Sequence, residues 1–526
     1  MDFRSSDNMG MRLLKKSKKG FFRTVFSRSG IFSVLVLTQL AIIISVFGYF
    51  SEFTAHYFVL TSLLYGGSVI YVINSQTNHT AKITWIVLIM LVPVLGVGLL
   101  LYTKNDFGHR AIKHRVENVV KETDGLIEQN SAVIQALAEE SPETVSLSNF
   151  INRGGCYPVY DDTSIKYFPQ GEDKFDQLLI ELEKAKHFIF LEYFIIDEGL
   201  MWGKVLDILA RKAREGVEVR LMYDGICEFT TLPHNYPERL KALGINCKMF
   251  SPVTPFVSTH YNYRDHRKIL VIDGHTAFTG GINLADEYIN EISRFGHWKD
   301  TAIMLKGEAV KSFTLMFLQL WNVDEKNPEF GKYLEYPSQN TRPSKGFVIP
   351  YGDCPLDNEK VGEMVYIDIL NRAQKYVHIM SPYLILDGET ETALKFAAER
   401  GVDVSLILPG IPDKKYAFAL AKTHYASLIE AGVKIYEYTP GFVHAKVFVS
   451  DDIKAVVGTI NLDYRSLYHH FECAAYMYGT DCIKDIETDF QNTVRKCREI
   501  TKATIKSEKP AVKIAGRLLK IIAPLM

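Results

Sequence analysis

The sequence has no CxxC pair, no HExxH helix, no P-loop and no EF-hand loop in its 526 residues. Its seven cysteines are odd in number and scattered, so neither a disulfide framework nor a zinc module is expected. Charge of either sign is not in excess: 60 Lys and Arg stand against 61 Asp and Glu, a formal net charge of -1. A nucleic-acid binder that tracks phosphates would normally be strongly basic, so nucleic acid is not an expected partner. With these signatures missing, no metal and no other cofactor is expected.

Charge is also missing locally. Ile31–Phe50, Tyr57–Ile73 and Ile83–Tyr102 carry no charged residue at all. Roughly 20 apolar residues cross a bilayer core. The first and third stretches have that length and the second is at the short end. A cleaved signal peptide is disfavoured, because the first stretch is too long for its apolar region and no A-x-A site follows. Pro93, Gly96 and Gly98 are tolerated in membrane helices. The expected organisation is a basic tail (1–30), a transmembrane region (31–102, spans 31–50, 57–73 and 83–102) and a polar linker (103–145). Lys and Arg flank the region on both sides, from Arg12 to Arg28 and from Lys104 to Lys121. Both flanks ask for the cytoplasmic side. That needs an even number of crossings where three stretches are visible, so either one stretch is re-entrant or the rest of the chain lies outside despite its basic start; charge alone favours the cytoplasmic side.

After the linker, short apolar runs such as FIFLEYFII, VEVRLMYDG, KILVID and TAIML alternate with helical patterns such as GKVLDILARKAREG. This alternation predicts an α/β fold with helices packed on a sheet. The order then restarts. AKHFIFLEYFI has a counterpart in AQKYVHIMSPYLI, and AREGVEVRLMYDG in AERGVDVSLILPG. Two copies are too few for a solenoid and predict a pseudo-symmetric pair, 146–326 and 346–505, joined by a connector (327–345). The last segment, 506–526, predicts a basic amphipathic helix. Lys513, Arg517 and Lys520 lie on one face and Ile514, Leu518, Ile521 and Leu525 on another, suited either to an anionic membrane surface or to the protein's own core.

The repeat carries the chemistry. His266, Lys268, Asp273, Gly280 and Asn283 recur as His444, Lys446, Asp451, Gly458 and Asn461, at offsets of 2, 7, 14 and 17 from each His. In one copy alone a strand-end His and a surface Lys would be unremarkable; matched types at fixed spacing in both copies point to function. His and Lys two apart project from one face of a strand. Asp273 and Asp451, although part of the candidate catalytic set, fall at odd spacing and favour a turn-fixing place. Brought together, two Lys and the amides of Asn283 and Asn461 make a pocket for a phosphoryl group that needs no metal. One imidazole can attack phosphorus while the other protonates the leaving alcohol and later deprotonates the incoming one. A nucleophilic His needs its tautomer fixed, usually by a carboxylate. Each copy supplies one candidate, Asp300 in GHWKDTAIML and Glu472 in HFECAAYMY.

These residues form the HxKx4D…GxxN signature of the phospholipase D superfamily, present twice, and the resemblance runs from about Ser146 to Thr501. YRDHRKILVIDG, GGINLADEYI, GHWKDT and GFVHAKVFVSDD…VGTINLDYRS resemble the blocks of bacterial cardiolipin synthases, as does the layout of membrane spans followed by two such halves. The resemblance implies two pseudo-symmetric phospholipase-D-like α/β/α domains in a multi-pass protein of the bacterial cell membrane. It implies phosphatidylglycerol as substrate, a phosphatidyl group transferred to a second phosphatidylglycerol, and cardiolipin and glycerol as products. It implies His266 as nucleophile, His444 as acid and base, and a carboxylate behind each. The chain departs from the usual two spans by an additional N-terminal apolar stretch. A hydrolase using water as acceptor shares the same motifs, and the oligomeric state is not legible.

Overall fold

The computed structural model describes residues 41, 44–45, 54–75, 77–104, 107–251, 263–336, 344–357 and 359–525. These divide into two compact units: a larger one within 112–516, and a smaller one holding the first helices together with residues 517–525.

In the larger unit the first half comprises β1 (Ser164–Phe168), β2 (Phe188–Tyr193), β3 (Glu218–Asp224), β4 (Asn246–Phe250), the two-residue β5 (Arg264–Asp265), β6 (Lys268–Ile272), β7 (Thr276–Gly280), the short β8 (His297–Lys299) and β9 (Ala302–Lys306). The second half comprises β10 (Phe347–Asp353), β11 (Tyr376–Met380), β12 (Leu384–Ile385), β13 (Asp403–Pro409), β14 (Lys434–Tyr438), β15 (Gly441–Val443), β16 (Val447–Ser450), β17 (Lys454–Gly458), β18 (Leu462–Asp463), β19 (His470–Tyr478) and β20 (Cys497–Glu499). The first sheet runs β1-β9-β7-β6-β2-β3-β4 and the second β10-β19-β17-β16-β11-β13-β14, with β20 added at its edge. The order is the same, strand for strand, so the sequence repeat is a repeat of topology.

Within each sheet β2, β3 and β4, or β11, β13 and β14, are parallel, and the remainder of the path is antiparallel. Parallel neighbours require crossovers, which the helices Leu200–Arg214 and Gly388–Glu399 provide. The first of these ends at Glu215, before Gly216 at φ +92°, a left-handed position that glycine adopts without strain.

Period-two alternation decides what each face covers. Phe188 and Phe190 on β2 join a core shared with Ile349, Tyr351 and Val456 of the second half, whereas Ile189, Leu191 and Tyr193 turn to a core under the helices Gly171–Glu183 and Leu200–Arg214. The two halves therefore bury one common apolar layer, whose middle is the helix Val310–Trp321.

Two expectations change here. Residues 103–145, read as a linker, contain the helices Phe107–Glu122 and Ser131–Glu140, and Val116, Val133 and Leu137 are buried in the shared core. In Phe107–Glu122 the apolar residues are spaced by helical turns among charged ones, and in Ser131–Glu140 a short apolar run sits between polar flanks, so the whole stretch looks polar on average while one face is apolar. The second change concerns the membrane spans. Among the described residues no helix is long and apolar enough to cross a membrane. Ile31–Phe50 lies almost wholly outside the described residues. Tyr57–Ile73 falls in the helix Thr54–Asn74. Ile83–Tyr102 is broken into His79–Leu91 and Pro93–Lys104, of 13 and 12 residues. Pro93 opens the second helix, where its missing N–H costs nothing. A Cβ on Gly96 would lie 2.8 Å from the Ile89 Cα, so the two arms fold back on each other.

In the smaller unit these helices surround Val72, Trp85, Ile89, Val97 and Leu100, and Thr84 Oγ1 donates to the Ile521 carbonyl at 2.8 Å. The C-terminal helix Pro510–Ile522 is close-packed at Gly516, whose Cβ would lie 2.4 Å from the Ala419 carbonyl oxygen, while Ile514, Leu518 and Ile521 remain exposed.

Candidate active site

The site is built where short strands of one half add to the other. β5 pairs in parallel with β19, setting His470 opposite Arg264 and Phe471 opposite Asp265. The next N–H, that of His266, donates to the Phe471 carbonyl at 2.9 Å. By the same device β15 pairs in parallel with β8, and the His444 N–H donates to the Lys299 carbonyl at 2.7 Å. Each histidine is thus held beside the residue that precedes a carboxylate of the opposite half.

The consequence is a crossed arrangement. His266 Nδ1 lies 2.9 Å from both oxygens of Glu472, and His444 Nδ1 lies 2.6 Å from Asp300 Oδ2. Both carboxylates are fully buried. Glu472 also accepts hydrogen bonds from Thr459 Oγ1 and Ser466 Oγ. Asp300 accepts the Thr301 N–H at 2.8 Å. In both cases Nδ1 is the nitrogen that donates, which leaves Nε2 of each ring with its lone pair. The motif glycines permit this crowding: a Cβ on Gly280 would lie 2.6 Å from the Ala302 Cα, and on Gly458 2.6 Å from the Ala474 Cα.

The lysines complete the charge. Lys268 Nζ donates to the His266 carbonyl and Lys446 Nζ to the His444 carbonyl, and Lys446 Nζ is also 2.9 Å from His444 Nδ1. Burial lowers the Lys268 pKa to about 8 and that of Lys446 to about 7, against the pull of nearby carboxylates. Burial, then Lys268 and Lys446, hold His266 well below its ordinary value; burial and Lys446 bring His444 to about 4, with Asp300 acting the other way. For Asp300, burial would raise the pKa, but the His444 and Lys446 charges outweigh it and the carboxyl is held low. Both imidazoles are therefore neutral near pH 7, and Asp300 is a carboxylate.

Other candidate residues lie elsewhere or are already engaged. Asp273 is at the far end of β6 from Lys268, and its carboxylate accepts the N–H groups of Lys186, His187 and Phe188 at 2.8 Å each. Asp451 does the same for Gln374, Lys375 and Tyr376. Neither carboxylate joins the histidines; both fix the turn into the neighbouring strand. Asn283 accepts the Ile195 N–H at 3.0 Å and donates to Tyr288 Oη at 2.7 Å, which leaves it one free N–H. Asn461 Oδ1 is buried with no protein partner.

The structure also adds residues that the motif did not announce. Trp298 lies beside His444, with ring centroids 5.3 Å apart, and His470 beside His266 at 5.2 Å. Both precede their carboxylates by two positions, and alternation along a strand would have placed them on the carboxylate's face. Among the described residues, the ligand atoms of His266, His470 and Glu472 lie within 4.8 Å of one another, as do those of Glu363, Asp387 and Glu389.

Two His/Lys pairs brought into one buried site on a duplicated α/β fold define a phospholipase-D-like phosphodiesterase or transferase. The cardiolipin synthase, PLD-like domain family matches residues 178–321 and 366–494, and the chain belongs to that family. A cardiolipin synthase of Geobacillus kaustophilus is 34% identical over 89% of this chain and 94% of its own length. A Streptococcus mutans protein described as uncharacterized is 58% identical over 88% of this chain and all of its own. The crystal structure of phosphatidylserine synthase from Haemophilus influenzae shares the fold, with a TM-score of 0.53 at 16% identity, covering 69% of this chain and 93% of that one.

Proposed function

We propose that the chain is a phosphatidyltransferase that joins two phosphatidylglycerols into cardiolipin and releases glycerol. The observation that carries this reading is the crossed pair of buried histidine–carboxylate contacts, which makes one site from two halves. The curated relatives named cardiolipin synthase, similar over most of the chain, support the substrate class.

In this reading His266 Nε2 attacks phosphorus, the bond from phosphorus to the headgroup glycerol oxygen breaks, and His444 gives that oxygen a proton. A phosphatidyl-histidine remains. The hydroxyl of a second phosphatidylglycerol then loses its proton to His444, attacks phosphorus and frees His266. Glu472, anchored by Thr459 and Ser466, keeps His266 in the tautomer whose Nε2 carries the lone pair. The first step needs His444 protonated. Its low pKa without substrate is raised by the phosphodiester anion as it enters, since a nearby negative charge favours imidazolium. Lys268, Lys446 and the amide of Asn461 face the phosphoryl oxygens and stabilise the charge that develops there. Asp273 and Asp451 contribute through the fold.

Exposed Leu63, Ile70, Ile83 and Leu91 of the smaller unit support membrane attachment, and the Lys and Arg that flank residues 31–102 favour the cytoplasmic side for the rest of the chain. Product analysis tests the reaction. Purified full-length protein given phosphatidylglycerol vesicles should yield cardiolipin and glycerol; phosphatidic acid as the main product would identify a hydrolase instead.

A further inference from the structure

His470 has no part in the reaction described above, yet it is built into the site. It opens β19, is 7% exposed, and neither ring nitrogen has a hydrogen-bond partner. A buried polar atom left unsatisfied is destabilising, so two on one ring need an explanation. Its Nδ1 is 3.6 Å from Glu472 Oε1, the oxygen that is 2.9 Å from His266 Nδ1. Metal–nitrogen bonds of about 2.0–2.1 Å in a tetrahedral site put ligand atoms about 3.3 Å apart. These two distances straddle that figure, and one ligand atom from each of the three residues lies within 4.8 Å of the others.

We propose that His266, His470 and Glu472 form a three-ligand site for a divalent transition ion of the Zn2+ class, and that its occupation switches the enzyme off. Two imidazoles and a carboxylate are a donor set that Zn2+ favours. Thr459 and Ser466 already orient the carboxylate, as outer-shell partners do around metal ligands. Silencing follows from the tautomer. An ion on His266 Nδ1 takes the lone pair of that nitrogen and leaves the ring proton on Nε2, the atom that must attack phosphorus. No bond is made or broken in the lipid. Lys268 and Lys446 repel an added cation, so binding is reversible and a chelator restores activity. The opposite histidine cannot do this, because Trp298 occupies the place equivalent to His470.

The test uses full-length protein in detergent and metal-free buffer, titrated with Zn2+ and with Co2+ as a spectroscopic probe, without lipid. One ion per chain is expected, with Co2+ showing d–d absorption and no thiolate charge-transfer band. His470→Asn and His470→Gln should lose that ion. Zn2+ should lower wild-type phosphatidyl transfer at least about 10-fold, and each variant, scaled to its own metal-free rate, should need at least about 10-fold more Zn2+ for the same inhibition. Failure of the wild type to bind Zn2+, Co2+ bound only through thiolate, or equal sensitivity in folded variants would overturn the proposal. If neither variant folds, the wild-type Co2+ spectrum alone decides. Binding is read without substrate, so its failure is distinct from failure of the phosphatidyl-transfer reading, on which only the inhibition arm rests.

Discussion

The two halves share one strand order but treat their histidines differently. His266 rests on both oxygens of a glutamate that Thr459 and Ser466 also hold, with His470 beside it. His444 rests on one oxygen of an aspartate, with an ammonium at the same nitrogen and an indole beside it. The first surrounding locks a tautomer. The second sets Asp300 against Lys446, so a small change in local charge can move a proton on or off the ring. In the mechanism proposed above, the duplicated fold supplies His266 for attack and His444 for proton transfer, and the two differ in what stands behind Nδ1.

The comparison breaks most sharply at the histidines. His266→Ala and His444→Ala should each lower turnover by about 10³-fold or more, the scale of losing a nucleophile or an acid–base group. A single variant retaining half the wild-type rate would mean two separate sites. One step down are the carboxylates. Glu472→Gln and Asp300→Asn should each cost about 100-fold with the fold retained by circular dichroism. Trapping by a denaturing quench at neutral to alkaline pH, where the P–N bond survives, sharpens the contrast: Glu472→Gln should depress formation of the phosphatidyl-histidine on His266 although Glu472 belongs to the other half, and normal formation would show that the crossed contact is only structural.

The lysines predict a pH dependence. Each is charged below its pKa and neutral above it, so attraction for the phosphodiester is present at low pH and lost as pH rises through about 7 for Lys446 and about 8 for Lys268. The ratio kcat/KM should fall about tenfold between pH 7 and pH 8.5. A flat profile would separate these lysines from binding. Smaller still in rate is the effect of the two motif aspartates. Asp273→Ala and Asp451→Ala should each lower stability by about 2–4 kcal/mol, from three lost backbone contacts to a charged acceptor, and leave the folded fraction active. The larger loss is expected for Asp273, which is the more buried; chemical denaturation measures both. The smallest expected effect is none: metal-stripped enzyme should keep its full rate, because Lys268 and Lys446 supply the positive charge. Loss restored by one specific divalent ion would refute that.

Much of this was legible in the chain. FIFLEY, VRLMYD, KILVI and AIML are strands because β-branched and aromatic residues run together between turn residues, and the repeated order of such runs announced two matching sheets. The linker reading failed because Val116, Val133 and Leu137 belong to helical faces that an average over the polar residues of 103–145 conceals. The single span Ile83–Tyr102 failed because hydropathy does not register the turn at Val92–Pro93.

The sequence by itself determined the duplication, the six-residue set of His, Lys and Asp, and the shared face of each His and Lys, because strand periodicity is local. It placed Asp300 and Glu472 near the ends of apolar strands for the same reason. Only the tertiary structure decided which half each carboxylate serves. That choice depends on β5 adding to β19 and β15 to β8, pairings of two or three residues made across the interface. Such short strands have no periodicity of their own, and hydrogen bonds between residues 144 and 206 positions apart leave no mark on either segment alone.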